Sequence, residues 1–97
     1  MEAIERVTLR VLFYDGCWGR SLSQKSIEQT LRVLKHIVDL EFLEPDEDVL
    51  FEVEVTVDVD LDWGNHENVA DRITERLLRR FEPEFESMIE VEVEDAR

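Results

Sequence analysis

The chain has 97 residues, the size of one small domain, and 43% of them are apolar, enough for a packed core. Twenty-five acidic residues against eleven basic ones leave a formal charge of −14. A surface so negative releases no counterions from nucleic-acid phosphates, so direct binding to nucleic acid is excluded as an expectation.

From the start, Val7, Leu9, Val11 and Phe13 alternate with Arg6, Thr8, Arg10 and Leu12, which predicts a half-buried strand. A glycine-containing loop follows, Asp15-Gly16-Cys17-Trp18-Gly19-Arg20-Ser21, leading into a helix. Ile27, Leu31, Leu34 and Val38 recur at steps of four and three, the stripe of an amphipathic helix. Ser21 with Gln24, or Ser23 with Ser26, supplies its N-cap. Residues 38–43 admit two readings. Val38, Leu40 and Phe42 alternate with Asp39 and Glu41, as in a short strand, yet Val38 and Phe42 also continue the helical stripe. We read the segment as a strand that turns at Pro45-Asp46-Glu47-Asp48.

The long run that follows is the clearest in the chain. Phe51, Val53, Val55, Val57, Val59 and Leu61 alternate with Glu52, Glu54, Thr56, Asp58, Asp60 and Asp62. β-Branched residues at period two mark a strand with one buried face. Val69, Ile73, Leu77 and Phe81 then mark a second helix, with Asn65 as its cap and Pro83 just beyond its end. Arg72, Arg76, Arg79 and Arg80 lie on its outer side. The tail returns to period two, with Ile89, Val91 and Val93 against Glu90, Glu92 and Glu94.

The order βαββαβ predicts a single α+β domain over residues 1–97, a ferredoxin-like sandwich. Two helices would cover one face of an antiparallel sheet, leaving the other face open. The first and third strands would be central, the fourth beside the first and the second beside the third. Exposed edges on so small a sheet lead us to expect a homo-oligomer, a homodimer being the simplest.

Charge is not spread evenly over these elements. Residues 1–44 carry a net −1 and residues 45–97 a net −13. The acid lies in two segments, 45–64 and 82–96, neither containing a base. Alternation would put Glu52, Glu54, Asp58, Glu90, Glu92 and Glu94 on the open face, with Arg6 and Arg10 among them neutralising part of the charge. Plain solvation of a sheet face accounts for such residues, and so does adaptation to high salt, suggested by nine arginines against two lysines. General adaptation would also acidify the helices, however, and the second helix is slightly basic. The functional reading is a docking surface for a basic protein.

Other motifs carry less. Gly16, Trp18, Gly19, Arg20 and Ser21 could hold a small anion at a helix N-terminus. The plain alternative is a turn whose tryptophan caps the core. The spacing fits neither a Walker A loop nor a dinucleotide fingerprint, and no cofactor is expected. Asp58, Asp60 and Asp62 resemble the start of a calcium loop, but Trp63 and Val69 stand where Gly and Glu are required. A cation gathered by Asp60, Asp62 and Glu67 is the weaker explanation, since strand alternation already accounts for the aspartates; no metal is expected. His36 and His66 are far apart in sequence, and Cys17 has no evident activating base, a lone cysteine being more often a small buried group.

The expectation is therefore a non-catalytic acidic interaction protein whose sheet face docks a basic protein surface. An inhibitor that mimics the charge of nucleic acid is one form of it. The alternative is a small-molecule-binding regulatory domain using the 15–21 loop. No apolar run reaches the roughly 18 residues of a membrane span. No secretory N-terminus is evident, and one cysteine suits a reducing compartment, so a cytoplasmic location is expected.

Overall fold

The computed structural model describes residues 5–34, 36–59 and 66–96. Strand β1 spans Glu5–Tyr14, helix α1 Gln24–Arg32, β2 Ile37–Leu43, β3 Val49–Val59, helix α2 His66–Phe81 and β4 Ile89–Ala96. A single 3-10 turn, Glu86–Met88, leads into β4. The four strands form one antiparallel sheet in the order β2-β3-β1-β4. This small α+β architecture is compatible with the ferredoxin-like arrangement.

The central pair is the best-ordered part of the pattern. Val7 lies opposite Val57, Leu9 opposite Val55, Val11 opposite Val53 and Phe13 opposite Phe51. All of these except Phe51 are fully buried, and Phe51 packs against the same cluster. The helices close that cluster with Ile27 and Leu31 from α1 and with Val69, Ile73, Leu77 and Phe81 from α2, all fully buried. At roughly 25 cal/mol per Å² of apolar area removed from water, these side chains are the main source of folding free energy.

α1 begins where the sequence allows it to. Ser23 and Ser26 form a capping box, with Ser26 N–H donating to Ser23 Oγ (3.2 Å) and Ser23 N–H donating to Ser26 Oγ (2.9 Å). The helix ends earlier than the apolar stripe implies. It stops at Arg32, and Leu34 N–H donates to Leu31 O (3.0 Å), an i→i−3 bond that tightens the last turn. Leu34 still packs against the core. Val38, the last member of the expected stripe, belongs instead to β2, where it is 50% exposed.

Residues 37–43 are a strand, as the alternation predicts, but the inward set is shifted at one end. Leu40 pairs with Val55 and Phe42 with Val53, both packed on the core, and Ile37 pairs with Val57. A register shift between Ile37 and Asp39 leaves Val38 without a partner. A bulge of this kind hands the inward position to Ile37 and turns Val38 out. Similar shifts occur in the β1–β3 pairing at Phe13/Tyr14 and in the β1–β4 pairing at Thr8/Leu9.

α2 carries its expected stripe in full, while its proposed cap, Asn65, lies outside the described residues, as do Asp60, Leu61 and Asp62. Its C-terminus is marked by Glu82, which takes the left-handed conformation (φ 44°) in which glycine is usual. Pro83 follows, as expected of a residue that cannot continue a helix.

Phe81 joins both layers, edge-on to Phe13 with ring centroids 6.0 Å apart and to Trp18 at 6.5 Å. Phe81→Ala should therefore cost about 3–5 kcal/mol of stability, read as a lower midpoint in urea unfolding followed by far-UV circular dichroism. A loss below about 1 kcal/mol would mean that this aromatic junction does not hold the helix to the sheet.

Candidate functional site

The even-numbered positions of β1, those of β3 from Glu52 onwards, and their partners on the edges lie on the side of the sheet away from the buried cluster. Arg10 stands opposite Glu54 on β3 and Glu92 on β4, and Leu12 stands opposite Glu52 and Glu90. Glu41 of β2 faces Glu54, and Leu43 faces Glu52. Glu52, Glu54 and Asp58 are half-buried, whereas Glu90, Glu92 and Glu94 are exposed. Glu94 falls at the register shift between Leu9–Val93 and Thr8–Asp95, so it has no direct cross-strand partner.

Two arginines neutralise part of this charge. Arg6 Nε donates to Asp58 Oδ1 (2.9 Å) and its Nη2 to Asp58 Oδ2 (3.3 Å), a bidentate pair. The hydrogen bond holds the Asp58 carboxyl below its usual range. Arg10 pairs with Glu94 at 2.7 Å. Among the described residues these are the ion pairs on this side of the sheet. Glu52, Glu54, Glu90 and Glu92 remain beyond them, and the effect of crowding is visible at Glu92. Hydrogen bonding to Glu90 and repulsion from its charge push the Glu92 carboxyl up.

One partner was not legible as such in the sequence. Tyr14 extends the even series of β1, and its hydroxyl donates to Glu90 Oε2 at 2.5 Å. Only the register, which brings the end of β1 beside the start of β4, sets these two residues together. A carboxylate accepting from the neutral phenol resists its ionisation and pushes Tyr14 up to about 12.

Two backbone donors of the 15–21 loop are bonded to the end of α2. Gly19 N–H donates to Glu82 O (3.0 Å) and Arg20 N–H to Phe81 O (3.2 Å), so these donors are engaged by the last carbonyls of α2. Glu84 N–H donates in turn to Cys17 O (3.0 Å), and Trp18 and Pro83 form an isolated bridge. Arg20 Nε pairs with Glu82 Oε2 at 3.0 Å on the surface. Trp18 is half-buried against Phe13 (6.0 Å) and Phe81, so it covers one end of the core. Its indole Nε1 is buried without a hydrogen-bond partner. Gly16 and Ser21 are exposed, and Ser21 O accepts from Ser26 Oγ (3.4 Å). Cys17 is exposed, contrary to the buried role expected of a lone cysteine.

Of the remaining candidates, His36 lies in the turn before β2, where its carbonyl accepts from Asp58 N–H (3.0 Å). Asp60 and Asp62 lie outside the described residues, as do the side chains of His66 and Glu67. No group of three metal-ligating side chains occurs among the described residues. No helix among them is long and apolar enough to cross a membrane. Comparisons with protein families, with curated proteins and with solved structures find no match to this chain.

Two measurements check this geometry. A Cβ on Gly19 would lie 2.8 Å from the backbone oxygen of Glu82, so Gly19→Ala should destabilise by about 1–3 kcal/mol in urea unfolding. Arg20→Ala, which breaks only an exposed pair, should change stability by less than about 1 kcal/mol. The second concerns Tyr14, the one tyrosine of the chain. Its raised pKa means that the bond to Glu90 contributes stability below the ordinary phenol value of 10.0 and loses it as pH rises through about 12. Absorbance titration of the folded protein should give a midpoint near 12, and Glu90→Gln should return it towards 10.0. A wild-type midpoint near 10.0 would show that the bond is absent.

Proposed function

We propose that this chain is a non-catalytic interaction protein, a ferredoxin-like βαββαβ domain whose acidic open face docks a basic protein surface. The observation that carries the reading is what remains after internal pairing. Arg6 and Arg10 account for Asp58 and Glu94, leaving Glu52, Glu54, Glu90 and Glu92 on one side of the sheet, on the two strands that flank β1. Like charges gathered on one face oppose folding, and the carboxyl of Glu92, raised by its neighbour Glu90 on the same strand, is a symptom of that cost. A cationic partner would relieve it, so the same residues that strain the free protein would favour the complex.

The electrostatics also sets how such a partner arrives. A patch of one sign speeds encounter and selects partners more than it adds affinity, and the effect is screened by salt. A surface adapted to gripping phosphates is the most basic kind of protein surface, and an inhibitor that mimics nucleic-acid charge is one form this function takes.

The test is capture of proteins from an extract of the source organism on immobilised chain, followed by their identification. Basic proteins should be retained near 0.1 M salt, where the Debye length is about 10 Å, and released near 1 M, where it is about 3 Å. The Glu52→Lys/Glu92→Lys variant, with an unchanged circular dichroism spectrum, should retain none of them. Retention unaltered by the double reversal would overturn the proposal.

A further inference from the structure

The side of the sheet that carries these carboxylates is not uniformly polar. Leu12 and Tyr14 on β1, Leu43 on β2 and Val49 on β3 are all half-buried, yet none of them packs against the core under the helices. Their register explains why. Leu12 and Leu43 both lie opposite Glu52, and Tyr14 lies opposite Val49, so all four share the side occupied by the glutamates. A sheet face built only for water would place threonine or a charge at a position such as Leu12, on a central strand.

The charges on this side sort along β1. Towards its start stand Arg6 with Asp58, Thr8 opposite Thr56, and Arg10 with Glu94, so cation and anion largely cancel. Towards its end, Glu52 and Glu90 flank Leu12, with Glu54 and Glu92 one pair further back beside Arg10. Unneutralised acid therefore alternates with the apolar residues, Glu52 between Leu43 and Leu12 and Glu90 on the far side of Leu12. The arrangement sets apolar side chains, a tyrosine among them, beside unpaired acid, the mixture from which binding interfaces are built.

Resting on the docking function above, we infer that the contact is centred on Leu12, Tyr14, Leu43 and Val49. Its occupant is a segment of a basic protein that brings an apolar or aromatic side chain between arginines or lysines. The unpaired acid chooses that occupant. A second copy of this chain, with its own −14 charge, would set like charges against the glutamates, and nucleic acid would do the same. A partner that offers only cations would satisfy the acid and leave the centre wet. Rim charges govern how fast a partner arrives and how strongly salt opposes it, whereas the desolvated centre governs how slowly the partner leaves.

Two fluorescently labelled synthetic peptides of equal length and equal positive charge separate the two contributions. One carries leucines between its arginines, the other serines. The full chain should bind the leucine peptide at least about tenfold more tightly by fluorescence anisotropy. Leu12→Thr/Leu43→Thr, which keeps strand-favouring residues, should bring the leucine peptide to the affinity of the serine peptide and leave the serine peptide unchanged. Glu52→Gln/Glu90→Gln should weaken both peptides and flatten their salt dependence. Equal binding of the two peptides to the unaltered chain, which depends on no variant folding, would overturn the apolar centre while leaving the acidic docking face standing. Failure of both peptides to bind would overturn both. Sedimentation equilibrium showing a dimer that Leu12→Thr dissociates would assign the centre to a second copy and overturn the inference.

Discussion

The cross-strand packing of β1 on β3 is the constraint from which the rest follows. Val7, Leu9 and Val11 meet Val57, Val55 and Val53 with no slip between them, and all six are fully buried. Because side chains alternate strictly along a strand, this alignment fixes the opposite face residue by residue. Arg6, Thr8, Arg10 and Leu12 are forced beside Asp58, Thr56, Glu54 and Glu52. A slip by one residue would put valines in water and glutamates under the helices, which no rearrangement of the loops could offset.

With the charge so confined, the protein tempers it locally rather than dispersing it. The bidentate Arg6–Asp58 pair and the Arg10–Glu94 pair act at one end of the face, and the Tyr14 hydroxyl serves Glu90 at the other. These contacts are exposed and individually weak. Their value lies in where they leave charge uncancelled, around Glu52, Glu54, Glu90 and Glu92. The bulges act in the same sense at the edges. Each leaves one residue of a strand unpaired, as at Val38 on β2 and Glu94 on β4, and an interrupted edge is a poorer template for another strand.

Much of this was legible in the sequence because it rests on period. The valine alternation of β3, the Val69-to-Phe81 stripe of α2 and the Ser23–Ser26 box are local patterns with one physical meaning each. The strand at 37–43 was legible for the same reason, but its bulge was not, and Val38 consequently fitted an inward position in either reading. A single unpaired residue leaves no trace in composition; it is set by how β2 must meet β3. Cys17 and Trp18 were ambiguous for a related reason, since only the approach of Gly19 to Glu82 determines which of them turns towards Phe81. The site divides likewise. The glutamates announce themselves, whereas Leu12, Leu43 and Tyr14 look like ordinary strand residues until the register puts them together.

The distribution of charge over the layers bears on why the face is acidic at all. α1 carries Lys25 and Arg32 against Glu28, and α2 carries four arginines against Glu67, Asp71 and Glu75, so each helix is slightly positive. Solvation in strong salt would favour acid on every exposed surface, the outer faces of the helices included. Here acid is concentrated on one side of the sheet, on the two strands that flank β1, and it lies beside a half-buried leucine and a tyrosine. Neither feature lowers the free energy of the isolated chain. In the proposed complex both would acquire a use, since cations would relieve the glutamates and an apolar side chain would dry Leu12.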